Sequence, residues 1–183
     1  MSVSEQTYER VALEDPEGHW ELDCGRLRSK PAMTYAHNRT TSDLAAQLLA
    51  QLDRRQFEVR INAGQVRRSA SQYYVPDVTV IAAAQTMRYR EHPDALEVYA
   101  DPVPLVVEIW SPTTGDYDVR GKLPEYQRRG DAEIWYLHPF ERTLTVWRRQ
   151  SDGNYSETLY TSGTVRPVAL PNVRIDLDEL FNT

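Results

Sequence analysis

The sequence predicts a mixed α+β fold formed as one domain over residues 1–183. Three observations point there. Short runs rich in Val, Ile, Tyr and Trp, separated by Gly, Pro and Asn, recur along the chain as strands do. Among them lies one long segment, about 38–53, where Leu44, Leu48 and Leu52 recur every fourth residue beside Ala45 and Leu49, the spacing of an amphipathic helix. At 183 residues and 40% apolar content the chain can bury one sizeable core.

The elements follow in order. Ser4 is placed to cap a short helix through about Val11. Residues 19–28 form a hairpin turning at Cys24-Gly25. After the long helix come a strand at 56–61, a turn at Asn62-Ala63-Gly64 and a strand at about 72–82, read as consecutive antiparallel strands. Residues 87–102 carry charges, two prolines and no sustained period, which predicts a long loop able to close over a substrate. An almost uninterrupted apolar strand at 104–110 leads through a polar loop to a basic helical segment ending at Gly130. Strands at 133–137, 143–149 and 155–160 follow, and a short helix at 176–181 with Asp176 as its cap closes the chain.

Composition narrows the function. A single cysteine, Cys24, excludes an internal disulfide and suits a reducing cytoplasm. The N-terminus lacks a charged start followed by an apolar stretch, and no apolar run approaches the roughly 18 residues of a membrane span. A net charge of −6 argues against sequence-blind coating of nucleic acid. Arg54-Arg55, Arg67-Arg68, Arg88 with Arg90, Arg128-Arg129 and Arg148-Arg149 are nonetheless local basic clusters on an acidic body. Gly-x-Ser-x-Gly elbows, phosphate-cradling glycine loops and His-x-x-x-His pairs are absent.

Chemistry concentrates at two acids. In Leu105-Val106-Val107-Glu108-Ile109-Trp110, Glu108 is a carboxylate inside an apolar strand, where it must be paired, protonated or coordinated. A glutamate at the sheet margin is the plain alternative. Asp77, in Val75-Pro76-Asp77-Val78, is set into a β-branched run, with ordinary turn chemistry as its alternative. Two acids in two strands suit a hard oxygen-liganded cation such as Mg²⁺.

In the PD-(D/E)XK pattern a lysine stands two residues after the strand acid, and here that position is Trp110. Lys122 is the candidate replacement. Of 21 basic residues only Lys30 and Lys122 are lysines, so lysine at 122 departs from an evident bias toward arginine. If its segment is helical, Asp118, Lys122 and Tyr126 share one face. Pro124 sets a conflict: it either bends that helix or starts it, leaving Lys122 on the approach loop.

These residues in this order resemble the Uma-type restriction endonuclease family, almost end to end. The resemblance runs through Trp20-Glu21-Leu22-Asp23-Cys24-Gly25, His37, Val75-Pro76-Asp77, Leu105 to Pro112, Asp118 to Tyr126 and Gly130 to Trp135. It implies a restriction endonuclease-like core, with a largely antiparallel, strongly curved mixed sheet flanked by helices. It further implies Mg²⁺ or Mn²⁺ held by Asp77, Glu108 and the Ile109 carbonyl, with Lys122 orienting or deprotonating the attacking water. Glu21 and His37 match family positions, as outer ligand and proton-transfer or phosphate-contacting group, although a surface acid and a helix-cap histidine are the simpler readings. The expected reaction is hydrolysis of DNA phosphodiesters by a homodimer. A catalytically silent nuclease-fold binding or regulatory module is the alternative, favoured by the acidic pI near 5.3.

Overall fold

The structure is a computed structural model describing residues 2–182. Ser4 accepts a hydrogen bond from the Thr7 amide and starts helix α1 (Glu5–Glu14). A 3-10 turn at Pro16–Gly18 leads into a hairpin of β1 (Trp20–Asp23) and β2 (Arg26–Ser29). Cys24 and Gly25 both have positive φ, 49° and 74°, as a two-residue type I′ hairpin turn requires. Helix α2 (Tyr35–Gln51) begins earlier than its apolar spacing suggests, because Thr34 accepts from the His37 amide and caps it.

Four strands follow: β3 (Phe57–Ile61), β4 (Gln65–Ser69), β5 (Gln72–Tyr74) and β6 (Val78–Ala82). The single strand expected at 72–82 is therefore two. Pro76 offers no N–H to a ladder, and the chain leaves one sheet there and enters another. The loop expected at 87–102 is also corrected. Helix α3 (Ala83–Glu91) occupies its start and β7 (Val98–Tyr99) lies near its end. The helix escapes detection by period because it buries only Thr86. Polar contacts dock it instead, with Thr86 donating to Glu58 and Gln85 to the Pro102 carbonyl.

After β8 (Leu105–Ile109) the chain winds through α4 (Gly115–Tyr117), a π turn at Asp118–Lys122 and α5 (Leu123–Arg129) without interruption. Pro124 thus neither breaks this helix nor leaves Lys122 on a loop. The wide turn, closed by the Leu123 amide on the Asp118 carbonyl, accommodates a ring that would strike the carbonyl of a regular α turn. The remaining elements are β9 (Glu133–His138), β10 (Thr143–Arg149), β11 (Tyr155–Tyr160), β12 (Thr164–Val165), β13 (Ile175–Asp176) and α6 (Leu177–Asn182).

The strands form a six-stranded sheet in the order β11-β10-β9-β8-β6-β3, a five-stranded sheet β2-β1-β5-β4-β7 and the pair β12-β13. The six-stranded sheet is antiparallel except between β8 and β9. One face, with Val78, Val80, Leu105, Val107 and Ile109, packs on Leu44 and Leu48 of α2 and Leu177 and Leu180 of α6. Each such buried leucine stabilises by about 1.5–3 kcal/mol. The other face, with Ile81, Val106 and Ile134, meets Val66 and Tyr74 of the second sheet and Tyr126 of α5. Side chains alternate along a strand, so Glu108 shares the face of Val106. None of the described helices is long and apolar enough to cross a membrane.

A candidate active site of buried acids and two lysines

β6 and β8 pair in the register Val78↔Val107, Thr79↔Val106, Val80↔Leu105. Continued by one residue, that register sets Asp77 opposite Glu108, on the face toward the five-stranded sheet. The two acids of the sequence thus meet, each nearly sealed from solvent at 1% and 3% exposure. Glu108 is inside a strand, which removes the margin alternative. Asp77 follows the proline where the chain changes sheets and accepts the Ile109 amide at 2.7 Å, so it clips β6 to β8.

Each acid has its own lysine. Lys30 Nζ lies 2.6 Å from Asp77 Oδ1 and also donates to the Val75 carbonyl and Asn62 Oδ1, both at 2.9 Å. His37 Nε2 stands 3.0 Å from Asp77 Oδ2. Burial alone would raise the Asp77 carboxyl, but Lys30, His37 and Lys122 hold it well below the usual range. His37 is fully buried and is the third residue of α2, whose cap is Thr34, so its imidazole is not the cap.

Lys122 is fully buried and reaches three carboxylates: Glu21 at 2.9 Å, Glu108 at 3.2 Å and Asp118 at 3.2 Å. The helical turns bring Asp118, Lys122 and Tyr126 together as their spacing requires. Tyr126 donates to Glu108 Oε1 at 2.5 Å, while Glu108 Oε2 is buried with no hydrogen-bond partner. Burial pushes the Glu108 carboxyl up to about 8; Lys122 opposes the rise, and Asp118 and Asp77 add to it. Burial would lower the Lys122 ammonium, yet Glu108, Glu21, Asp118 and Asp77 lift it well above its ordinary value, which keeps it protonated. Asp118 is raised by burial against the pull of Lys122.

Glu21 is no surface acid. Only 3% exposed, it accepts the Val75 amide at 2.9 Å and ties the hairpin to the Pro76 bend as well as to Lys122. Lys30 was not singled out by motif, although the scarcity of lysine marks it as it marks Lys122. Trp110, in the place of the motif lysine, stacks on His138 at 4.3 Å and packs against Gly115, where a Cβ would come within 2.4 Å of the indole. It therefore props the start of the helix that delivers Lys122. Trp135 and Trp147 are buried core.

A family model described as "Uma2: Putative restriction endonuclease" matches residues 5–178. No curated protein matches the chain significantly. Among solved structures, the chain is similar to a crystal structure titled as a "putative nuclease belonging to DUF820" from Anabaena variabilis. The TM-score is 0.79 at 18% identity, with 98% of each chain covered.

Proposed function

Because the chain belongs to the Uma2 family, described as "Putative restriction endonuclease", we propose that it is a metal-dependent endonuclease hydrolysing DNA phosphodiesters at Asp77, Glu108 and Lys122. The observation that carries this reading is a convergence of buried acids. The carboxyl groups of Glu21, Asp77, Glu108 and Asp118 converge on two lysines, Lys30 and Lys122, with His37 beside Asp77, and Glu108 keeps one oxygen that no group of the site engages.

Asp77 and Glu108 would hold Mg²⁺ or Mn²⁺, with the Ile109 carbonyl as a third donor. All-oxygen donors suit these hard cations, and the unpartnered Glu108 Oε2 is an acceptor with free lone pairs. Among the described residues, no group of three or more His, Cys, Asp or Glu forms a cage. Mg²⁺ commonly takes one or two carboxylates and completes its shell with water and substrate phosphate. Bound there, the ion supplies Lewis-acid polarisation and neutralises charge on the phosphate.

The chain's own residues do the rest. Lys30 and His37 fix Asp77, and Tyr126 engages Glu108 Oε1 so that Oε2 stays open. Glu21 and Asp118 hold Lys122. Lys122 would orient the attacking water or take its proton, and its ammonium form balances charge on the phosphate. Hydrolysis then leaves a 5′-phosphate. Two-fold reading of a duplex favours a homodimer.

Plasmid DNA incubated with the protein and Mg²⁺ or Mn²⁺ should be cut, and Asp77→Ala and Glu108→Ala should abolish cutting. Equal cutting by all three proteins would overturn the assignment. The lysine already seated on each acid favours a silent module as the second reading, and calorimetry separates the two. An active site takes up Mn²⁺ in wild type and not in Glu108→Ala, whereas a silent one takes up none in either.

A further inference from the structure

We propose that Arg28 is a phosphate-positioning residue on the solvent side of the Tyr117 ring, receiving a backbone phosphodiester of the nucleic acid as it approaches the buried acids. The proposal rests on the hydrolytic reading above. A phosphodiester approaching a site lined by carboxylates meets repulsion before it reaches any metal or Lys122, which an accessible cation on its path would offset.

Arg28 is placed for that task. The hairpin register sets it directly opposite Glu21, and Glu21 touches Lys122 at 2.9 Å, which puts Arg28 one residue width from the buried machinery. Its guanidinium lies 3.7 Å from the centre of the Tyr117 ring, and Lys122 Nζ lies 5.5 Å from the same centre. Tyr117 therefore forms a shared wall between an inner ammonium and an outer guanidinium. Gly121 presses on that ring, leaving no room for a Cβ, which approaches it at 2.8 Å, so the ring is held in place from the helix side.

A planar guanidinium stacked on a fixed ring loses little freedom when it binds a phosphate, and its fork matches two phosphate oxygens. The Arg28 side chain is 48% exposed, in contrast to the 2% of Lys122. The carboxylate that it approaches, Asp23, is at 3.8 Å, too long for a strong hydrogen bond, so N–H donors remain for a ligand.

The test uses the full chain, a fluorescein-labelled duplex, and Ca²⁺ or no metal so that binding is read without cutting. Arg28→Ala should weaken binding about tenfold, the scale of one charge-assisted contact. It should also reduce the slope of log K against log salt by about 0.9, the value for one phosphate contact on a duplex. Arg28→Lys should recover the slope and only part of the affinity. Mn²⁺ uptake by calorimetry and the melting temperature of Arg28→Ala should match wild type. Unchanged affinity and slope in Arg28→Ala, with a wild type that binds and cuts, would overturn this proposal and leave the nuclease reading intact. A wild type that neither binds the duplex nor cuts it would overturn both.

Discussion

Asp77 and Glu108 are neutralised by different means although they face each other. Asp77 has both oxygens engaged, by Lys30, His37 and a backbone amide, whereas Glu108 has one oxygen engaged by Lys122 and Tyr126 and the other left over. That difference sets a pH dependence. With its carboxyl pushed up to about 8 by burial, well above the ordinary carboxylate range, Glu108 keeps a proton in the metal-free fold that the unfolded chain has released. Its contribution to stability is present in full below the unfolded value and is lost as pH rises through the folded one. The urea midpoint of metal-free wild type should therefore fall between about pH 5 and about pH 9 more steeply than that of Glu108→Gln. Equal slopes would show that Glu108 does not carry the proton. Lys30→Ala strands a charged Asp77 and should cost about 3–5 kcal/mol, measured by the same unfolding. The acids were legible from sequence because a charge in an apolar strand has few reasons to be there. Lys30 was less so: it follows the hairpin, and its pairing with Asp77 spans 47 residues of chain. Only its rarity as a lysine hints at it.

At the scale of elements, the segment between β8 and β9 decides whether the site assembles. Sequence spacing correctly unites Asp118, Lys122 and Tyr126, yet Pro124 argues against the helix that unites them. The contradiction is resolved by a π turn, which leaves no period in the sequence to read. α3 was hidden for the opposite reason, having too little buried surface to write an apolar pattern, and β4 (Gln65–Ser69) carries two arginines where a strand period would show. Gly115 tests the helix start. A methyl group there would meet the Trp110 ring at 2.4 Å, and an indole stacked on His138 cannot yield cheaply. Gly115→Ala should lose about 1–3 kcal/mol in urea unfolding, the range for overpacking. By shifting the helix it should also weaken Mn²⁺ uptake in calorimetry, although Gly115 touches neither acid. Unaltered uptake alongside reduced stability would confine Trp110 to a packing role.

For the whole molecule, the site is also the joint between the two larger sheets. The chain passes from β5 to β6 through Val75-Pro76-Asp77, and all three residues are held there: Val75 by Glu21 and Lys30, Asp77 by Lys30, with Pro76 fixing the bend. Lys122 closes the joint from the third side, bonding Glu21 of the five-stranded sheet and Glu108 of the six-stranded one. Opening the five-stranded sheet alone would take Glu21 from Lys122 and uncover Val66, Tyr74 and Val106. The far face is bound as tightly: Gln47 and Gln51 of α2 each exchange two hydrogen bonds with the backbone of Asp176 and Arg174, standing in for a strand neighbour. Each sheet also has apolar contacts of its own, with α2 and α6 on one side and α1 on the other, but the cluster between the sheets and the buried ion pairs are shared, so the described residues should unfold as one unit. In native-state hydrogen exchange under rising urea, amides of β1 and β5 should merge with those of β8 and β9 into a single isotherm whose free energy equals the global value. A separate, lower isotherm for the hairpin and the five-stranded sheet would divide the chain at Pro76 and make the acid site an interface between two units.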